Sequence, residues 1–319
     1  MTDIILATEP EKYSSYALRL YRSAGGLHLL PPGADRATLL DALADVTVLV
    51  VRLAHYIDAE VLRHAPKLRV IVSPTTGVTH IDMAACTASN VEVLTLRGET
   101  EFLSGITATA ELAWGLLLAV VRRIPSATAS VVRGEWDRDA FRSHEVQGKT
   151  LGILGLGRLG RMVARYGQAF RMRTLAYDPY QTQWEEGVLR CASLDELLSC
   201  SDVLSVHVPL NDNTRGMLGR RELALLPDGA VLINTARGEI MDEVALRDAL
   251  LSGRLAGAGL DVLADELTGL GRSGIVRLAA ELPQVVITPH MGGCTFESMA
   301  RTEIFMAEKF LRTIKREAE

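Results

Sequence analysis

A length of 319 residues, at about 150 residues per domain, supplies two domains with substantial cores and excludes a small stapled fold. Hydrophobic residues at 48% and charged residues at 23% describe an ordinary globular chain and exclude extended disorder. The formal charge, 34 basic minus 39 acidic or −5, offers no overall basic field, so no nucleic acid partner is expected.

The four cysteines, Cys86, Cys191, Cys200 and Cys294, are far apart and form no C-x-x-C pair. Neither a metal site nor a disulfide framework is expected, and reduced thiols point to the cytoplasm. Residues Met1 to Leu6 lack a basic leader region, and the longest apolar stretch, Leu112 to Val121, is about half a membrane span. Neither secretion nor membrane insertion is expected.

Apolar runs of strand character alternate with helical periods nearly end to end, the pattern of parallel sheets covered by helices, so the fold class is α/β. In the first third, Asp3 to Ala7, Val46 to Val51 and Leu68 to Val72 read as buried strands, with helical stretches at Glu11 to Arg22 and Asp58 to His64. An apolar helix from Ile106 to Arg123 follows, where basic residues suit its C-terminus and Pro125 stops it. Further strands are expected at Thr150 to Leu154, Arg173 to Tyr177, Val203 to Val206, Ala230 to Asn234, Gly257 to Val262 and Val285 to Ile287. Six of these fit a dinucleotide-binding sheet. The last helical segment, Glu297 to Lys315, precedes no strand and is expected to return to the first domain.

Strand 151–154 runs into Gly155-Leu156-Gly157-Arg158-Leu159-Gly160 and then a helical period, a G-x-G-x-x-G turn between strand and helix. There Gly155 permits the tight turn, Gly157 lets a pyrophosphate approach the backbone, and Gly160 lets helix pack on strand. The helix N-terminus offers free N–H groups to the phosphates. Asp178 ends the next strand, where a carboxylate accepts the ribose hydroxyls and repels a 2′-phosphate, favouring NAD over NADP. The alternative for Asp178 is turn chemistry, in Asp178-Pro179-Tyr180.

Three polar residues fall just beyond the carboxyl ends of parallel strands, where ligands of an open α/β sheet sit: Arg237, Glu266 and His290. Arginine pairs bidentately with a carboxylate, and imidazole takes or gives a hydroxyl proton, with a glutamate to orient it. The set suits oxidation of an alcohol beside a carboxylate. Each also has a plainer reading: a solvated loop arginine, part of the acidic run Asp265-Glu266, and one of seven histidines.

Together with Gly148-Lys149-Thr150 before the glycine turn, Val208-Pro209-Leu210 with Thr214, Leu232 to Glu239, Gly259-Leu260-Asp261-Val262 and Thr288-Pro289-His290-Met291-Gly292-Gly293, the chain resembles the D-isomer-specific 2-hydroxyacid dehydrogenases over nearly its whole length. The resemblance implies two Rossmann-like or flavodoxin-like domains with parallel sheets. A cofactor domain at 101–288 would be inserted into a substrate domain made of 1–100 and 289–319. It carries acid/base work onto His290, its partner role onto Glu266 and substrate binding onto Arg237, with the backbone of Thr76 and Gly77 holding the carboxylate. Cofactor contacts fall on Gly155, Gly157, Arg158, Leu159, Gly160, Asp178, Val208, Pro209, Thr214, Ala236 and Asp261, the last near the nicotinamide carboxamide. It implies NAD, with NADP possible, a small anionic 2-oxo or 2-hydroxy acid as substrate, and a homodimer through the cofactor domain.

Departures sharpen these expectations. Leu263, Ala264 and Leu267 stand where the family has aromatic, acidic and proline residues, so Asp265 competes with Glu266 as the partner of His290. Thr75 and Thr79 replace Gly and Asp or Asn in the substrate loop. Phosphoglycerate-using members tend to carry Arg where Ser73 stands, which argues for a non-phosphorylated substrate, although Arg52 is a nearby cation. Cys294, four residues after His290, offers either a thiol that makes the site oxidation-sensitive or, as the favoured reading, a small buried thiol. The leading expectation is NAD(H)-dependent interconversion of a small 2-oxo acid and its D-2-hydroxy acid; the alternative is a scaffold that senses NAD(H) without catalysis.

Overall fold

A computed structural model describes residues 3–264, 266 and 274–318, which form two compact units, 1–105 with 294–319 and 106–293. The first unit holds a five-stranded parallel sheet of order β2-β1-β3-β4-β5, with β1 Asp3–Ala7, β2 Gly25–Leu29, β3 Val48–Val50, β4 Val70–Val72 and β5 Glu92–Leu94. The central strands are buried on both faces, as helix-covered parallel strands must be. Short polar side chains start its helices. Ser14 accepts the Ala17 N–H, so the helix runs Ser15–Ala24 rather than beginning at Glu11, and Asp58 accepts the N–H groups of Glu60 and Val61 to start Ala59–His64.

The helix Phe296–Ala318 belongs to this first unit. Phe310 packs on Tyr21 with ring centroids 5.9 Å apart, and Phe305 stacks on Phe102 at 4.0 Å. Lys309 Nζ adds hydrogen bonds to the Thr95 carbonyl at 2.9 Å and to Glu99 Oε1 at 2.7 Å.

The second unit carries a seven-stranded parallel sheet of order β12-β11-β10-β9-β6-β7-β8. Its strands are β6 Thr150–Leu154, β7 Arg173–Tyr177, β8 Val188–Arg190, β9 Val203–Val206, β10 Ala230–Asn234, β11 Leu255–Leu260 and β12 Val285–Ile287. The chain steps outward from β6 to β8 and then returns to the other side of β6 at β9, which creates a topological switch point between β6 and β9. One strand more than expected is present, and β11 lies two residues earlier than expected.

Segment 100–121 is long and apolar enough by composition alone to cross a membrane. In its helix Ala108–Val121, however, Ala110, Ala113, Trp114, Leu116, Leu117 and Val120 are buried in the second unit's core, as befits a helix covering a sheet.

Candidate active site

At the end of β6, Gly155 has φ +92°, and a β-carbon there would sit 2.9 Å from the carbonyl carbon and oxygen of His207 at the end of β9. The glycine turn therefore lies directly at the switch point, and alanine at Gly155 is excluded by both conformation and space. A β-carbon on Gly160 would overlap the Gly155 carbonyl oxygen, so helix Arg158–Ala169 rests on the turn only because Gly160 has no side chain. At Gly157 the opposite holds: a β-carbon would meet nothing within 4 Å. Gly157 is also the N-cap and supplies no side-chain acceptor. Among the described residues the first-turn N–H groups of Leu159 and Gly160 stay open toward an anion, and the cradle fits a dinucleotide pyrophosphate.

Asp178 ties this turn to the end of β7. Its Oδ2 accepts the Leu156 N–H at 2.9 Å, and Oδ1 accepts the Tyr180 N–H at 3.0 Å, so the turn chemistry read from the sequence is present. The Arg158 guanidinium turns back to the Ile106 carbonyl, and burial pulls it below its ordinary range. After β9, Thr214 Oγ1 donates to the Pro209 carbonyl at 2.6 Å and accepts the Asn211 N–H at 2.9 Å, which folds the segment carrying Val208 and Pro209 beside Gly155. Burial pushes the neighbouring His207 imidazole down to about 4, so that it is neutral at pH 7, with Nε2 2.8 Å from Ser205 Oγ.

Three further strand ends bring together acid, base and cation. Past β10, Asn234 Oδ1 accepts the Ala236 N–H at 2.9 Å and its Nδ2 donates to the Arg237 carbonyl at 2.8 Å, closing the turn that presents Arg237. The guanidinium donates from Nη1 to the Ala236 carbonyl at 2.6 Å. Burial draws it below its ordinary range, against the opposing pull of the Glu266 and Glu239 carboxylates. Gly238 lets the segment after β11 cross this turn, since a β-carbon there would overlap the backbone of Leu263 and Ala264. That crossing carries Glu266 to His290, with Oε1 2.6 Å from Nδ1 and both side chains about a quarter exposed. A carboxylate on Nδ1 selects the tautomer with the proton there and leaves Nε2 for substrate. Asp265, the alternative partner, lies outside the described residues.

His290 itself is held in the left-handed region, with φ +51°. The Asp261 carboxylate imposes that turn: Oδ1 accepts Thr288 Oγ1–H at 2.5 Å and the Met291 N–H at 2.9 Å, and Oδ2 accepts the Gly292 N–H at 2.8 Å. The His290 N–H adds a bond to the Asp261 carbonyl at 2.9 Å. Asp261 therefore has a positioning task beyond the carboxamide contact the resemblance implies. Asn234 and Thr288 stand inside the motifs that carry the resemblance, but their roles in holding these turns are not legible in the sequence. Cys294 corrects an expectation: it is exposed, in the turn before Phe296, rather than buried.

Thr76 and Gly77 belong to the other unit, on the loop after β4. Ser73 is buried and spans the loop's base, with Oγ 2.9 Å from Thr75 Oγ1 and 3.1 Å from His80 Nε2, while Thr75 Oγ1 donates to the Gly77 carbonyl at 2.8 Å. Among the described residues the N–H groups of Thr76 and Gly77 have no acceptor.

A doubly wound parallel sheet with an uncapped glycine turn at its switch point defines a dinucleotide-binding protein. The family model described as "D-isomer specific 2-hydroxyacid dehydrogenase, NAD binding domain" matches residues 114–292. The chain belongs to that family, and its second unit is an NAD-binding domain. It is 35% identical over 298 residues to a hydroxypyruvate reductase of Thermotoga maritima, covering 93% of this chain and 94% of that one. Identity to a D-3-phosphoglycerate dehydrogenase of Mycobacterium tuberculosis is 41% over 278 residues, 86% of this chain but 51% of the relative. The chain spans little more than half the length of the phosphoglycerate dehydrogenases it matches. Among solved structures, the D-lactate dehydrogenase of Aquifex aeolicus, complexed with NAD and lactic acid, aligns with a TM-score of 0.84 and 28% identity over 98% of this chain and 96% of that one.

Proposed function

We propose that the protein is an NAD(H)-dependent oxidoreductase interconverting a small, non-phosphorylated 2-oxo acid and its D-2-hydroxy acid. The observation that carries this reading is the 2.6 Å pair of His290 and Glu266, in an NAD-binding domain whose Arg237 is desolvated. Bound NADH supplies the hydride. Arg237 holds the substrate carboxylate through a planar, bidentate fork, and its partial desolvation strengthens that attraction. His290 Nε2 delivers the proton to the oxygen as its negative charge develops, while Glu266 fixes the ring and stabilises the imidazolium before transfer. In the N-terminal unit the open N–H groups of Thr76 and Gly77 fit a carboxylate. The test is NADH oxidation with glyoxylate, pyruvate, hydroxypyruvate and longer 2-oxo acids. Turnover of at least one is expected, and none by protein shown to bind NADH overturns the reading.

The same reading includes a homodimer. Helix Ile124–Val132 and the turn after it expose Val132 at 82% and Trp136 at 88%, beside half-exposed Ile124 and Val131. Exposed apolar side chains grouped on one helix and the segment after it suit an interface, and a second copy is the occupant we favour. In sedimentation the chain is expected at twice its 34.7 kDa, and Val132→Asp with Trp136→Ala at once that mass. A wild-type monomer rejects the assignment.

A further inference from the structure

In the first unit the strand order reverses between β1 and β3, and open α/β sheets take ligands at such a crevice, beyond the carboxyl ends of the strands. The Thr8 N–H bonds to the Val50 carbonyl at 3.0 Å and the Val51 N–H to the Val72 carbonyl at 2.9 Å. The segments after β1, β3 and β4 therefore leave the sheet side by side at one level. The turn after β3 presents three successive backbone N–H groups, an arrangement that binds anions. It is filled by the chain's own carboxylate: Glu9 Oε2 accepts the Arg52 N–H at 2.7 Å, and Oε1 accepts those of Leu53 at 3.1 Å and Ala54 at 3.0 Å. Thr8 Oγ1 donates to Oε2 at 3.2 Å.

The cation of this turn is committed as well. Arg52 Nη1 meets Oε1 of Glu303, a side chain only 1% exposed, at 3.4 Å, and Nη2 donates to the Glu11 carbonyl at 3.2 Å. Its guanidinium also lies over the Tyr13 ring, 5.7 Å from the centroid. Arg52 is therefore not the free compensating cation that its position in the sequence suggests.

We propose that Glu9 is a specificity-determining residue: it occupies the anion-binding turn with a fixed negative charge and confines the substrate to 2-oxo acids with no second anionic group. The inference rests on the reductase reading above. A substrate held through its carboxylate by the N–H groups of Thr76 and Gly77, after β4, extends past the neighbouring β3 turn. A phosphate or second carboxylate arriving there finds the donors taken and a like charge in place, whereas a hydroxyl or alkyl group meets no penalty.

The test compares kcat/KM for hydroxypyruvate and for its 3-phosphate, in the wild type and in Glu9→Gln. Wild type is expected to favour hydroxypyruvate by at least about a hundredfold, and Glu9→Gln to narrow that ratio about tenfold, because like-charge repulsion is removed. The ratio is the readout, since a general loss of active protein lowers both rates alike. A second measurement uses wild type alone: raising the salt concentration from about 0.05 M to 0.5 M should narrow the ratio, as screening weakens repulsion between charges. Equal use of both acids overturns the inference and leaves the reductase reading standing. A ratio unmoved by both the substitution and salt also overturns it. Turnover of neither acid, nor of any other 2-oxo acid, overturns both.

Discussion

His290→Ala is expected to bind NADH as the wild type does and to lose about a hundredfold to ten-thousandfold in kcat, the usual contribution of a positioned general acid. The proposed cradle for the dinucleotide consists of Gly155, Gly157, Gly160 and Asp178, and the imidazole touches none of them, so binding and turnover should separate. Glu266→Gln should fall between the two. The amide can still sit near Nδ1 at the observed 2.6 Å, but it no longer stabilises a charged ring. Stopped-flow transfer from NADH, with fluorescence titration of the cofactor, distinguishes these cases. A His290→Ala enzyme within a few-fold of wild-type kcat removes the imidazole from the chemistry.

Asp261→Asn is the second large effect. The carboxylate accepts three hydrogen bonds, from Thr288 Oγ1, Met291 N and Gly292 N, and is itself 1% exposed. An amide offers one acceptor oxygen and turns an NH₂ group toward a backbone N–H that cannot accept. Leaving a buried donor unpaired costs about 1–3 kcal/mol, and losing charge-assisted bonds adds to it, so urea denaturation should show a loss of about 2–4 kcal/mol. The same change frees His290 from φ +51°, a conformation that side chains bearing a β-carbon adopt only under constraint. kcat should therefore fall with a smaller change in KM for NADH. If Asp261 served the cofactor alone, NADH affinity would fall while unfolding stability stayed the same, and that result would sink the positioning role.

Much of the architecture is legible in the residues. Strands β1, β6, β7, β9, β10 and β12 coincide with apolar runs; all but β12 lie inside their sheets, where strands covered by helices have no polar face to disguise them, and the edge strand β12 is itself wholly apolar. The strands missed, β2, β5 and β8, all lie at sheet edges. An edge strand is covered less completely, so Gly25-Gly26-Leu27-His28-Leu29 and Val188-Leu189-Arg190 carry too few apolar residues to register. Helix starts depend on single hydrogen bonds, which is why Ser14 rather than the onset of the periodic pattern sets the start of the first helix.

The glycine turn likewise declares itself by spacing, since a positive φ, a close approach and an open face each demand glycine for a separate reason. The sequence by itself also determines that Arg237, Glu266 and His290 follow parallel strands of one sheet. Only the tertiary structure decides which carboxylate oxygen meets Nδ1, that Asp261 spends its oxygens on the His290 turn, and that Glu9 fills the donors after β3. Such pairings join residues separated by 24 to 45 positions, and their geometry is set by strand order and by where backbone can pass over glycine. Residue type states what a side chain is able to bond; packing of the strands decides what it meets.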